Sequence, residues 1–82
     1  MRDLIGVRCY FVSRSRYAYR GRVRAIEEGH RSTRAILTEI TQVIDLGTGI
    51  GPPKEEIPFP DGGRIDLDEC EWFGPEPASW TQ

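Results

Sequence analysis

Within the stretch YRGRVRAI, residues 19–26, arginine stands at every second position: Arg20, Arg22 and Arg24. On a β-strand alternate side chains share a face, so these three guanidinium groups would line one side about 6.7 Å apart. Guanidinium forks match phosphates bidentately, and a row of them can follow a charged backbone. Arg8 extends the row from an earlier strand, with Arg16 as a further member. Tyr10, Tyr17 and Tyr19 supply rings on which a base can stack. The competing assignment makes the row the wet side of a strand, neutralised across the sheet by Asp66, Asp68 and Glu71.

Charge along the chain sharpens that choice without making it. The 82 residues carry a net charge of −2, but residues 1–36 hold nine arginines and three acids, whereas residues 37–82 hold two bases and ten acids. Such opposed halves suit either an anionic partner for the first half or mutual neutralisation on folding. Other chemistries have thin support. His30 is the single histidine and lies in a turn sequence, and Cys9 and Cys70 are too few and too far apart for a metal motif or a disulfide scaffold. A Cys–His or Ser–His nucleophile needs its base within hydrogen-bond reach, and Cys9 is expected to point inward. The acids at 55, 56, 66, 68, 69 and 71 read as solvated charge. DLGTG, residues 45–49, matches a phosphate-binding turn only loosely and runs into Pro52 and Pro53, so it reads as a strand exit. No catalytic residue, metal ligand or cofactor is expected.

Positioning the row requires strands. LIGVRCYFVS, residues 4–13, alternates Val7, Cys9 and Phe11 against Arg8, Tyr10 and Val12. A polar SRSR turn leads to a second strand over residues 17–27, with Tyr17, Tyr19, Gly21, Val23 and Ala25 facing inward and the arginines with Ile26 facing outward. Gly21 marks a bulge, a bend or a close backbone approach. Residues 32–47 place Ile36, Leu37, Ile40, Val43 and Ile44 at helical spacing, yet their β-branched composition favours two short strands, about 34–38 and 41–46. Residues 47–63 contain nine of the fifteen glycines and prolines and read as a long loop. In the last strand, residues 64–73, Ile65 and Leu67 have the opposite parity to Cys70 and Trp72, which predicts a bulge near Glu69. Trp72 and Phe73 are expected to close the core. GPEPASWTQ follows as a tail whose Trp80 docks back on its own domain or on a sister subunit.

Five short strands with a bent second strand resemble the small SH3-like barrels, and among them the Sm-like family. Tyr19, Gly21 and Val23 are similar to that family's aromatic–x–Gly–x–aliphatic second strand, and Leu37, Ile40 and Val43 of AILTEITQV to its following strand–turn–strand. Where Sm-like proteins carry an Asp and an Asn that help read bases, this chain has EEGHRST, so their RNA pocket does not carry over. The pattern also resembles short barrel proteins of tailed phages and mobile elements, which act by binding and in some cases counter host defences.

The expectation is therefore an all-β protein, a five-stranded SH3-like or Sm-like barrel over residues 1–73 with a long Gly/Pro-rich loop before its last strand, and a tail over 74–82. It would be a non-enzymatic, cytoplasmic binding protein that assembles as a homo-oligomer through unpaired strand edges. A nucleotide or nucleic-acid ligand would meet Arg8, Tyr10, Tyr19, Arg20, Arg22 and Arg24. The resemblance to phage proteins implies a counter-defence setting. The alternative is an interaction module or inhibitor that presents Asp66, Asp68, Glu71, Trp80 and the long loop to a basic surface on a host protein. No run of apolar residues is long enough to span a membrane.

Overall fold

The computed structural model describes residues 2–15, 17–45, 53–59 and 63–81. Six strands form one antiparallel sheet: β1 (Arg8–Ser13), β2 (Ala18–Glu28), β3 (Thr33–Asp45), β4 (Glu55–Pro58), β5 (Arg64–Asp66) and β6 (Cys70–Pro75). The order is β4–β3–β2–β1–β6, and β5 pairs with the first half of β3 while β4 pairs with its second half. The sheet has six strands rather than five and does not close into a barrel. The extra strand is β4, in a segment whose prolines suggest loop; Ile57 and Phe59 nonetheless alternate with Glu56 and Pro58 there.

Residues 33–45 form one bent strand instead of two, and the bend accounts for their helix-like spacing. Between the pairs Arg20↔Thr41 and Arg22↔Thr38, Glu39 and Ile40 stand opposite Gly21 alone. Glu39 takes a left-handed conformation, φ 54°, in this bulge. The inserted residue puts both Leu37 and Ile40 on the inner face, where each is buried. A Cβ at Gly21 would stand 3.2 Å from Leu37 Cδ1 and from the Thr38 carbonyl oxygen, a tight contact in which these neighbours must give way. Gly21→Val is expected to cost about 1–3 kcal/mol through overpacking. Gly74→Ala should cost less, because its new Cβ meets only the outer edge of the Trp72 indole, itself 51% exposed. Thermal melts of the two variants check the order.

A second irregularity, between Val23 and Ala25, leaves Arg24 without a partner in the β2–β3 register. From that point the faces exchange: Ile26, not Ala25, packs against the inner core. Arg24 thus steps out of the alternation that unites Arg20 with Arg22.

The inner core contains Cys9, Phe11, Val23, Ala35, Leu37, Ile40 and Leu67, with Phe73 stacked 6.3 Å from Phe11. A 3-10 turn over Leu67–Glu69 separates β5 from β6, and the bulge expected near Glu69 falls at Glu71, skipped between the pairs Ser13↔Cys70 and Val12↔Trp72. Asp66 caps that turn by accepting the Asp68 N–H at 3.0 Å. Turn and bulge together bring Ile65, Leu67, Cys70 and Phe73 to the core. They also send Trp72 to the outer face, 5.9 Å from Tyr10, so Trp72 does not close the core.

The outer edges of β4 and β6 are blunted. The Glu76 N–H donates to the Arg8 carbonyl and the Phe59 N–H to the Ile40 carbonyl. By strand alternation, Pro75 and Pro58 then turn their nitrogens outward, where a partner strand would need a donor.

Candidate functional site

The outer face carries most of the arginine row, and the chain itself supplies its anions. Arg20 is buried, with 8% of its surface exposed. Its Nε donates to Glu76 Oε1 at 2.8 Å and its Nη2 to Glu76 Oε2 at 3.1 Å, a forked contact. Its Nη1 donates to Glu56 Oε2 at 2.7 Å, and the Thr41 hydroxyl donates to the other oxygen of Glu56. The bond to Glu76 holds the Arg20 guanidinium above its ordinary pKa against the opposing effect of burial. Trp80 lies 5.3 Å from the guanidinium carbon, so the tail folds back over this face.

The remaining arginines of the row are engaged or displaced. Arg8 pairs with Glu39 at 3.0 Å and with Glu76 at 3.6 Å. Arg22 donates to the Gly6 carbonyl at 2.9 Å and approaches Glu39 at 3.7 Å. Arg24 is exposed and forms no ion pair with a described residue. Arg16 lies outside the described residues. The neutralising acids are Glu39, Glu56 and Glu76, not Asp66, Asp68 and Glu71. Asp66 is a turn cap, Asp68 accepts the Thr33 N–H at 3.2 Å, and Glu71 is exposed.

The tyrosines divide between the faces. Tyr10 is buried on the outer side, between Trp72 and Trp80, which sits edge-on to it at 5.4 Å. Tyr19 lies on the inner side against Phe59, with ring centroids 5.6 Å apart. The expected ligand set therefore does not converge: Tyr10 has neighbours on its ring, Arg20 is satisfied, and Tyr19 points the other way.

The inner face shows a different feature. Beyond the core, apolar side chains just before β2, near the end of β3, and on and just after β4 remain partly in water. Tyr17 is 55% exposed, Ile44 52%, Ile57 45% and Phe59 42%. Gln42 pairs with Tyr19 on one side and Ile57 on the other, which places these strands side by side. A cavity of 210 Å³ opens where this surface meets the core, walled by Tyr19, Ile40, Phe59, Ile65 and Cys70. Arg64, Asp66 and Glu69 stand among its lining residues. The Cys70 thiol donates to the Asp66 carbonyl at 3.6 Å. Burial, and then the charges of Asp66 and Glu69, push its pKa up.

Burial likewise raises Cys9 and Tyr10. All three groups ionise more easily in the unfolded chain, so their neutral burial stabilises the fold below the unfolded pKa values. That contribution is lost as pH rises through the folded ones. Melting temperature is expected to fall above about pH 8.5, where free thiols begin to ionise. An unchanged melt at about pH 10 would contradict it.

Sequence patterning missed Glu39, Glu56 and Glu76 because their pairing depends on a bulge, an extra edge strand and the return of the tail. Ile57 and Phe59 were masked by prolines, although their alternation was a readable strand signal. Of the long loop expected to face a partner, residues 47–52 and 60–62 lie outside the described residues, as does most of DLGTG. Among the described residues no group of three His, Cys, Asp or Glu side chains could hold a metal ion, and no helix is long and apolar enough to cross a membrane.

Fold and site together define a small open-sheet β protein with a charge-neutralised outer face and an uncovered apolar extension of its inner face. No family model, curated protein or solved structure matches the chain.

Proposed function

We propose that this chain is a non-enzymatic protein-interaction module that binds a partner through the uncovered end of its inner face. One observation carries the reading. Tyr17, Ile44, Ile57 and Phe59 leave large apolar surface in water on or beside adjoining strands, and Phe59 also lines the cavity beside Tyr19. Scattered apolar exposure is ordinary, but a contiguous aromatic and aliphatic patch marks an interaction surface. Small binding modules commonly anchor a partner through such residues while polar groups form the rim. The similarity of Tyr19, Gly21 and Val23 to the Sm-like second strand fits a binding role but supplies none of the anchor residues.

The nucleotide reading draws less from this geometry. Its central arginine already spends its fork on Glu76 and a third nitrogen on Glu56. Arg22 and Arg24 remain on the surface, but without a stacking ring beside them in a shared site. Edge-to-edge assembly is likewise disfavoured by the outward nitrogens of Pro58 and Pro75. The interaction surface thus works as a face, not as a strand template.

A displayed peptide library selected on the intact chain tests the proposal. The expected result is an enriched ligand that binds the native protein and loses binding to Phe59→Asp. Failure to enrich, or equal binding to the variant, overturns it.

A further inference from the structure

We infer that the cavity between β3–β4 and the β5–β6 connection receives one apolar side chain from an extended protein segment whose flanking residues are lysine or arginine. This rests on the interaction reading above and adds the chemistry of the occupant. The cavity volume of 210 Å³ lies below the roughly 300–1,000 Å³ of small-molecule sites. Its scale is that of a single side chain.

The walls set the character of that side chain. Tyr19, Ile40, Phe59 and Ile65 present rings and methyl groups, which favour an aromatic or branched aliphatic group.

The lining and its surroundings set the charge of the flanks. Asp66 and Glu69 stand at the cavity, and the segment 66–71 holds four acids and no base. Neither Glu69 nor Glu71 forms an ion pair with a described residue, and both are exposed. The one base among the lining residues, Arg64, pairs with Glu27 at 3.0 Å in an exposed contact. Burial first, and the charges of Asp66 and Glu69 after it, push the Cys70 thiol up. A segment with basic flanks gains attraction there, and one with acidic flanks meets repulsion.

The blunted edge sets the pose. Pro58 withholds its donor from the open side of β4, so the segment crosses the face and inserts a side chain instead of extending the sheet.

Backbone amide NMR titrations of the intact chain with three synthetic peptides test this: a phenylalanine flanked by two lysines on each side, the same with glutamates, and an alanine flanked by lysines. The lysine-flanked phenylalanine should shift residues 19, 40, 59, 65 and 70 and bind at least tenfold more tightly than either control. Its affinity should fall as salt rises. Glu69→Lys should narrow or reverse the preference between flanks while leaving the spectrum folded. If both phenylalanine peptides shift the cavity equally, the basic-flank inference fails and the interaction reading stands. If alanine matches phenylalanine, or the shifts lie elsewhere, the cavity assignment fails. If even the library-selected ligand leaves residues 57 and 59 unshifted, the underlying reading falls with it.

Discussion

Glu76→Ala is expected to destabilise the fold by about 3–5 kcal/mol, the cost of removing one partner from a buried ion pair. The Glu76 side chain is 2% exposed and that of Arg20 10%, so water cannot take the place of the missing carboxylate. Glu56 keeps one contact to Arg20, which limits the loss without replacing the fork. A domain of this length has a total stability of about 4–12 kcal/mol. The variant should therefore be partly unfolded at ambient temperature, or melt well over 10 °C lower at about 4–8 °C per kcal/mol. Glu39→Ala is the internal comparison. That carboxylate also meets the arginine row, but its side chain is 61% exposed, so its loss should cost about 0–1 kcal/mol. Replacing the pair together, Arg20→Met with Glu76→Leu, should recover part of the loss, because the buried fork goes with both partners and only Glu56, whose side chain is 22% exposed and keeps the Thr41 hydroxyl, loses its cation. Equal melts for Glu76→Ala and Glu39→Ala would show that burial does not distinguish the two carboxylates. Urea unfolding of all three variants supplies the free energies.

Phe59→Asp is expected to weaken the selected ligand by about 2 kcal/mol or more, roughly 30-fold, as for an aromatic anchor at the centre of an interface. Phe59 joins the exposed surface to the cavity: its ring meets Tyr19 at 5.6 Å and its amide is held by the Ile40 carbonyl. The ring is partly in water, so the substitution should change stability far less than Glu76→Ala. Calorimetric titration and a thermal melt of the same sample separate the effects. Ile5→Asp is the control, since Ile5 is 47% exposed but does not line the cavity. If Ile5→Asp weakened binding as much as Phe59→Asp, general hydrophobicity and not this surface would account for binding.

Much of the fold is legible because strand alternation is local. Val7, Cys9 and Phe11 against Arg8, Tyr10 and Val12 show β1 without reference to any other segment, and Gly21 announces the close approach that Leu37 then makes. Alternation fails where the chain inserts a residue. The Glu39 bulge reproduces helical spacing inside a strand, and the irregularity at Arg24 moves Ile26 to the core. Neither shift can be located from spacing alone, because the register of one strand depends on its neighbour.

The candidate site was less legible than the sheet. The sequence by itself determined that Arg20 and Arg22 share a side opposed to Tyr19 and Gly21, and that the late acids outnumber the late bases. Tertiary structure alone decided which acids meet which arginines. Glu76 reaches Arg20 across β1 because β6 pairs with β1, and Glu56 reaches it across β3 because a short strand forms among prolines. Long-range pairing also leaves Tyr17, Ile57 and Phe59 about half exposed, which their own pattern does not foretell. Side-chain direction follows from two-residue periodicity, whereas burial and charge neutralisation depend on which distant strands the chain brings alongside.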